Sequence, residues 1–319
     1  MTMNCSFSDI GKALKDAESI LLIAHIQPDG DTLGSTFALQ RILLQSGKII
    51  DVACDDEMPK RYAELFEGCR LLQPNEISSS YSLIVAVDCA DKNRLGKLLK
   101  VFKKAPLTIN IDHHATNDSF AQLNYIAEAC STGEIIFELA RSLGGVFDEA
   151  SAKYLYTAIS TDTGNFTYSN TSSKCMAYVS ELVGLFDLRA TADVLFRRRS
   201  LLATKLIARS LSRLELDLDG QIAYLTLLQS DLEEIGATGA DCENIVDFAR
   251  EIEETQVAVF FRQLGTGVKV SLRSKGSYDV GAVAAFFGGG GHINASGCCP
   301  GGTLEEVKNS VLEKVRELF

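Results

Sequence analysis

A chain of 319 residues with 46% hydrophobic content carries apolar material for two cores rather than one, so two domains are expected. Its formal net charge of −11 and pI near 5.0 argue against a protein that coats long nucleic acid through a basic surface, because such binding draws on counterion release from many phosphates. Small phosphorylated substrates remain open, and no apolar run approaches the roughly 18 residues that a membrane helix needs.

The first half of the chain repeats one pattern, a short apolar run that ends abruptly in charged or imidazole residues. Ile20–Ala24 ends at His25, Leu83–Val87 at Asp88, and Leu107–Ile111 at Asp112-His113-His114. Runs of this length without alternation read as strands covered on both faces, the habit of parallel sheets. Helical patterns over 31–46, 131–144, 148–160 and 172–186 lie between and after them, so the class is α/β. In open parallel sheets ligands bind where strands end at their carboxyl edge, and all three polar clusters fall there.

The loop His25-Ile26-Gln27-Pro28-Asp29-Gly30-Asp31 sets an imidazole and two carboxylates together, with Pro28 and Gly30 bending the backbone. That donor mixture suits Mn²⁺ or another hard to borderline cation. The bland alternative is an Asp29-Gly30 turn followed by Asp31 as a helix N-cap. Asp88 either caps a helix or serves a site, and its position alone does not decide. Asp112-His113-His114 has little packing rationale at a strand end. Further on, Ser160-Thr161-Asp162-Thr163-Gly164 is either a hydroxyl-rich helix terminus or another carboxylate ligand with hydroxyl partners.

Residues 191–215 read as one long helix carrying Arg197, Arg198, Arg199, Lys205, Arg209 and Arg213, and they are taken as a linker between domains 1–190 and 216–319. Beyond it, Ile222–Leu228, Thr255–Phe261 and Gly267–Leu272 read as strands. Stretches near 242–250, 278–287 and 303–318 read as helices, completing a smaller α/β domain. The run Gly288-Gly289-Gly290-Gly291-His292-Ile293-Asn294 removes four consecutive side chains ahead of an expected helix start, so that backbone N–H groups can approach a phosphate; a flexible loop is the alternative. Ser271 and Arg273, at the end of a strand, can add a hydroxyl and a bidentate guanidinium to the same anion.

All four histidines, His25, His113, His114 and His292, lie in these clusters, a distribution that packing alone does not produce. Nine cysteines without a CxxC pair suggest reduced thiols and a cytoplasmic setting, with Cys298 and Cys299 read as small buried thiols.

Taken together these motifs resemble those of the DHH phosphoesterases, named for the triplet that stands here as Asp112-His113-His114. The resemblance covers nearly the whole chain and implies an N-terminal DHH domain with a mostly parallel sheet flanked by helices, a helical linker and a C-terminal DHHA1 substrate domain. In length the chain is most similar to the NrnA-like subgroup of bifunctional oligoribonucleases and 3′-phosphoadenosine 5′-phosphate phosphatases. That likeness implies two divalent ions, Mn²⁺ by expectation. One would be held by His25, Asp29 and Asp88, the other by Asp31, Asp88, His113 and Asp162. His114 would face the scissile phosphate, and Asp112 would orient the neighbouring imidazoles. Arg94, Ser271, Arg273, Gly289, Gly290, Gly291, His292 and Asn294 would contact substrate. The expected partners are short RNA oligonucleotides and small phosphorylated nucleotides, with no membrane; a homodimer is compatible with the likeness. A metal pair about 3.5–4 Å apart would activate water and clamp the attacking and leaving oxygens, which makes hydrolysis of a phosphoester the expected reaction. The alternatives are a phosphodiesterase for cyclic or linear dinucleotides, a pyrophosphatase, a long-strand exonuclease, or a non-catalytic nucleotide sensor on the same fold.

Overall fold

A computed structural model describes residues 5–77 and 80–319. The chain divides into two compact units, Met1–Arg198 and Arg199–Phe319. In the first, the elements run α1 (Phe7–Asp16), β1 (Ser19–Ala24), α2 (Gly30–Leu44), β2 (Ile49–Ala53), β3 (Leu83–Val87), α3 (Leu99–Phe102), β4 (Leu107–Asp112), β5 (Leu123–Ile126), α4 (Thr132–Ser142), α5 (Glu149–Asp162), α6 (Ser173–Leu182) and α7 (Leu188–Ala192). The sheet has the order β2-β1-β3-β4-β5, and every pairing is parallel.

Burial on both faces explains why the three central strands read as unbroken apolar runs. Ile20, Leu22, Leu83, Val85 and Val87 enter a core with Phe37 of α2, Phe137 of α4 and Leu155 of α5. The alternate residues Leu21, Ile23, Ile84 and Ala86 enter a second core with Leu95, Leu98 and Phe102. Two edge strands, β2 and β5, escape that sequence pattern. Ile49 is exposed, and only Asn124 is fully buried within β5, so neither strand shows a continuous apolar run.

Two glycines one turn apart let α2 approach α5. A Cβ at Gly34 would sit 2.4 Å from the Tyr154 carbonyl oxygen, and one at Gly30 would sit 2.4 Å from Thr161 Oγ1. The start of α2, with Asp29 and Asp31, is thereby brought against the end of α5, with Asp162.

The stretch 191–215 is not one helix. Helix α7 passes into a single π turn over Asp193–Arg197, the backbone at Arg198 is extended, and a new helix, α8 (Leu201–Leu211), starts on Ser200, whose Oγ accepts from the Ala203 N–H at 3.0 Å. A serine N-cap ahead of an apolar-periodic run is a start signal, and it interrupts the periodicity that suggested continuity.

The second unit continues with β6 (Glu215–Asp217), β7 (Ile222–Leu227), α9 (Gln229–Ile235), α10 (Ile245–Arg250), β8 (Val257–Leu264), β9 (Gly267–Ser274), α11 (Val280–Phe286), β10 (Gly290–His292), β11 (Ala295–Cys298) and α12 (Leu304–Arg316). Its sheet runs β10-β11-β9-β8-β7-β6, antiparallel except for β7 with β8. One face, with Val257, Val259, Phe261, Val270 and Leu272, packs on Val283 of α11 and Val311 of α12. The other, with Ala223, Leu225, Ala258 and Phe260, packs on Leu206 of α8 and on Ile245 and Val246 of α10. The glycine run therefore does not precede a helix: it forms the hairpin β10–β11 at the sheet edge.

All nine cysteines are free thiols; Cys298 is buried, but Cys299 is exposed, against the expectation of a buried pair. Among the described residues no helix is long and apolar enough to cross a membrane.

Candidate active site

Because β1, β3 and β4 are adjacent and parallel, the residues that follow them meet at one edge. His25 follows β1, Asp88 follows β3, and Asp112-His113-His114 closes β4. Helix α2 brings Asp29 as its N-cap and Asp31 in its first turn, and α5 brings Asp162 as its last residue. Three groups of donor atoms result, each within 4.8 Å of one another: His25, Asp29 and Asp88; Asp31, His113 and Asp162; and Asp88, His113 and His114. All six residues expected to hold metal, and His114, are thus brought together.

Asp88 stands at the centre. Its Oδ2 lies 3.6 Å from His25 Nε2, and its Oδ1 lies 3.8 Å from His113 Nε2 and 3.7 Å from His114 Nδ1. Its φ is +62°, in the left-handed region that residues other than glycine rarely adopt. The backbone is held there by its N–H donating to the Ile111 carbonyl at 2.9 Å, a strained conformation of the kind that concentrates at functional sites.

Both candidate ligand histidines are oriented through Nδ1, leaving Nε2 toward the carboxylates. His25 Nδ1 is 2.7 Å from the Ile26 carbonyl, with Nε2 3.5 Å from Asp29 Oδ2. His113 Nδ1 is 3.3 Å from the Ala129 carbonyl, with Nε2 3.5 Å from Asp162 Oδ2 and 3.8 Å from Asp31 Oδ2. A backbone carbonyl behind one ring nitrogen is the usual support of a metal-binding imidazole. Asp29, not Asp31, caps α2: its Oδ1 accepts from the N–H groups of Asp31 and Thr32, both at 3.1 Å. Asp31 instead accepts from Thr132 N–H at 2.7 Å, Gly133 N–H at 3.0 Å and Ser35 Oγ at 2.8 Å. Asp112 orients one imidazole and not both. Its Oδ1 is 2.7 Å from His114 Nδ1, while Oδ2 accepts from Asn117 Nδ2 at 2.5 Å.

Ser35, Asn117 and the turn Ser131-Thr132-Gly133 are site residues that the sequence reading missed. For the turn a helix-start signal was present: Ser131 stands three residues before Glu134, the spacing of a capping pair, and Ser131 Oγ accepts from the Glu134 N–H at 3.3 Å. Thr132 also donates its hydroxyl to Asp88 Oδ1 at 2.8 Å. Arg94, expected on the substrate side, lies beside His25, with Nη2 2.9 Å from Nδ1 and 3.1 Å from Nε2.

The charges at this edge do not balance without cations. Burial, and then the carboxylates of Asp88, Asp162 and Asp29, hold Asp31 well above the ordinary carboxylate range. Burial, opposed by His113 and reinforced by Asp88 and Asp29, pushes Asp162 up to about 7. Burial opposes a charge on His25, yet Asp29 and Asp88 lift it to about 10; it opposes one on His114, which Asp112 and Asp88 lift to about 9. Asp88 is lowered despite its burial by the surrounding imidazoles. Imidazoles drawn toward charge, with Asp31 and Asp162 driven toward neutrality, are what a site built around positive ions shows when protons alone compensate it. The donor set, its spacing and its charge therefore fit divalent metal.

In the second unit, the pleat puts directly paired residues on one face. His292 pairs with Ala295 and Ala295 with Arg273; Gly290 pairs with Gly297 and Gly297 with Ser271. Ser271, Arg273 and His292 thus share a face, on a floor of alanine and glycine. On β7 and β8 that same face is covered by α8 and α10. A concavity of ≈ 190 Å³ borders Arg262, Lys269, Ser271 and Arg273. Arg273 Nη1 donates to the Leu272 carbonyl at 3.0 Å. The neighbouring residues have structural duties. A Cβ at Gly289 would lie 2.2 Å from the Gly297 oxygen and one at Gly291 2.5 Å from the Ala295 oxygen, so these glycines allow the hairpin to close, whereas a Cβ at Gly290 meets nothing within 4 Å. Asn294 donates through Nδ2 to Ser274 Oγ and to the Gly276 carbonyl, both at 2.9 Å, and so fixes the end of β9. A larger cavity, ≈ 580 Å³, opens at Leu83, Leu107 and Leu123, the amino ends of β3, β4 and β5, and holds none of the clustered residues.

Residues 19–159 match the N-terminal domain of the DHH family, and residues 219–319 match the DHHA1 domain. The chain is 32% identical, over 97% of its length and 93% of the relative's, to the bifunctional oligoribonuclease and PAP phosphatase NrnA of Thermus thermophilus. It is 26% identical to the protein of the same name in Bacillus subtilis, over 88% of each chain. Its fold is also that of an exopolyphosphatase-related protein from Bacteroides fragilis, with a TM-score of 0.92, 26% identity and coverage of 98% of this chain and 95% of that one.

Proposed function

Since the chain belongs to the DHH family, we propose that it is a metal-dependent phosphoesterase that removes mononucleotides from RNA oligomers a few residues long and converts 3′-phosphoadenosine 5′-phosphate to AMP. The observation that carries this reading is the division of Asp88 between two donor groups, Oδ2 toward His25 and Oδ1 toward His113. The names of the full-length relatives supply the substrate class. His25, Asp29 and Asp88 would hold one ion, and Asp31, Asp88, His113 and Asp162 a second, with Mn²⁺ the ion favoured by mixed imidazole and carboxylate donors.

When bound, such a pair supplies electrophilic activation of the phosphoryl group and acidification of water. The remaining work falls to side chains. Asp112 holds Nδ1 of His114, which leaves Nε2 to face a phosphoryl oxygen or the leaving oxygen. With Asp112 against Nδ1, a protonated imidazole would stabilise charge there or deliver its proton. Asn117 fixes Asp112 from behind, and Asp112 in turn fixes the ring. In the second unit, Ser271, Arg273 and His292 would take the phosphate or sugar of the remaining nucleotide. A compact basic shelf of this kind reconciles an acidic chain with RNA fragments, since it needs no long groove. The nine free thiols support action in a reducing compartment.

The test is a hydrolysis panel on chelator-treated protein resupplied with Mn²⁺ or Mg²⁺. Its substrates are 3′-phosphoadenosine 5′-phosphate, RNA and DNA from dimers to longer oligomers, cyclic dinucleotides and pyrophosphate. Turnover lost with chelator, restored best by Mn²⁺ and highest on RNA dimers to pentamers and on 3′-phosphoadenosine 5′-phosphate is the expected result. Undiminished hydrolysis after metal removal defeats the mechanism, and a preference for cyclic dinucleotides or pyrophosphate defeats the substrate assignment.

A further inference from the structure

Asp88 can serve two donor groups only if the plane of its carboxylate is fixed, because a turn about χ2 would carry both oxygens away from His25 on one side and His113 on the other. Carboxylate torsions of this type are broad and weakly determined by the chain itself. Within the site, Thr132 is placed to determine it. This fully buried residue opens α4 and makes two donor bonds in different directions. Its hydroxyl donates to Asp88 Oδ1 at 2.8 Å, and its backbone N–H donates to Asp31 Oδ2 at 2.7 Å. Asp31 belongs to the group with His113 and Asp162, and Asp88 to the group with His25 and Asp29 and to that with His113 and His114, so one residue couples two carboxylates that arrive from separate parts of the chain.

We propose that Thr132 is a positioning residue that sets the plane of the Asp88 carboxylate, so that one oxygen serves each of two metal positions. The inference rests on the two-metal reading above. The turn that carries Thr132 is itself held firmly. Ser131 Oγ caps the helix, Glu134 accepts from the Cys130 N–H at 3.2 Å, and Lys174 Nζ lies 2.9 Å from Glu134. The Thr132 backbone N–H would survive any side-chain change, so the hydroxyl can be removed while the bond to Asp31 stays. Burial also means that water cannot readily stand in for the missing donor.

The test is calorimetric titration of Mn²⁺ into metal-free wild-type, Thr132→Val and Thr132→Ser proteins, with thermal melts of the metal-free forms to confirm folding. Wild type should bind two equivalents. Thr132→Val, near in shape but without the hydroxyl, should weaken both positions, because both Asp88 oxygens turn together, by about 10- to 100-fold, the range for removing a hydrogen-bond partner of a metal ligand. Thr132→Ser should restore both. Two unaltered equivalents in Thr132→Val would overturn the proposal, as would a Thr132→Ser protein no better than Thr132→Val, because the methyl group would then be the operative part. A wild-type chain that binds one equivalent or none removes the two-metal reading itself, and that outcome is visible before either variant is compared.

Discussion

At the carboxyl edge of the first sheet, Asp31 accepts three donors, Asp29 two and Asp112 two, and both candidate ligand histidines have a carbonyl behind Nδ1. On the edge strands of the second sheet, Ser271, Arg273 and His292 share a side because the pleat puts them there, on a floor of alanine and glycine, with Arg273 Nε 3.7 Å from Asp247 Oδ1 of α10. The first region is over-determined, the second is shaped. Chemistry at phosphorus needs atoms fixed to a fraction of an ångström, whereas recognition of a phosphate tolerates a cation that can shift. The two regions should therefore fail differently when altered.

The largest expected effect is at the shared carboxylate. Asp88→Asn should remove metal stoichiometry and activity together, with a loss in kcat beyond that of any other single change, measured by metal analysis alongside steady-state kinetics. His114→Ala sharpens the contrast inside the first region. It should lower kcat by about 10²- to 10⁴-fold, the usual contribution of a positioned acid or base, while two equivalents of metal remain bound. A variant that loses metal instead would move His114 from proton transfer to ligation. Arg273→Ala probes the second region and should raise KM on the order of 10- to 100-fold with kcat little changed, as one charge-assisted hydrogen bond implies. If kcat falls while KM holds, the division between chemistry and recognition is broken. The smallest effects distinguish glycines of the hairpin. Gly291→Ala, at φ +141° and against the Ala295 oxygen, should destabilise by about 1–3 kcal/mol. Gly290→Ala, which meets nothing within 4 Å, should stay within about 0.5 kcal/mol, both read from melting curves.

The α/β class and the three central strands were legible because each is a local event, an apolar run covered on both faces; His25, Asp88 and His113 lie just beyond those runs, whereas the full set of six candidates came from the resemblance to the DHH family. The edge strands β2 and β5 were not, since a half-exposed strand carrying Asp51 or Asn124 has no unbroken apolar signature. The glycine run read as a phosphate-approaching stretch ahead of a helix because four residues without side chains carry no strand pattern of their own; it pairs instead with β11, which is held in turn by β9. Similarly, the sequence left a helix cap open as the alternative for Asp31, whereas its side chain reaches the start of α4, 101 residues away.

From its sequence alone the chain marked which side chains are candidates for chemistry, because imidazoles and carboxylates cluster at the ends of its apolar runs. Only the tertiary structure decided which oxygen of Asp88 faces which histidine, which of two aspartates caps α2, and that Thr132 joins Asp31 to Asp88. Those facts depend on directions and distances between segments remote in the chain, and a hydrogen bond between such segments exists only once the sheet and the α2–α5 contact have brought them within about 3 Å.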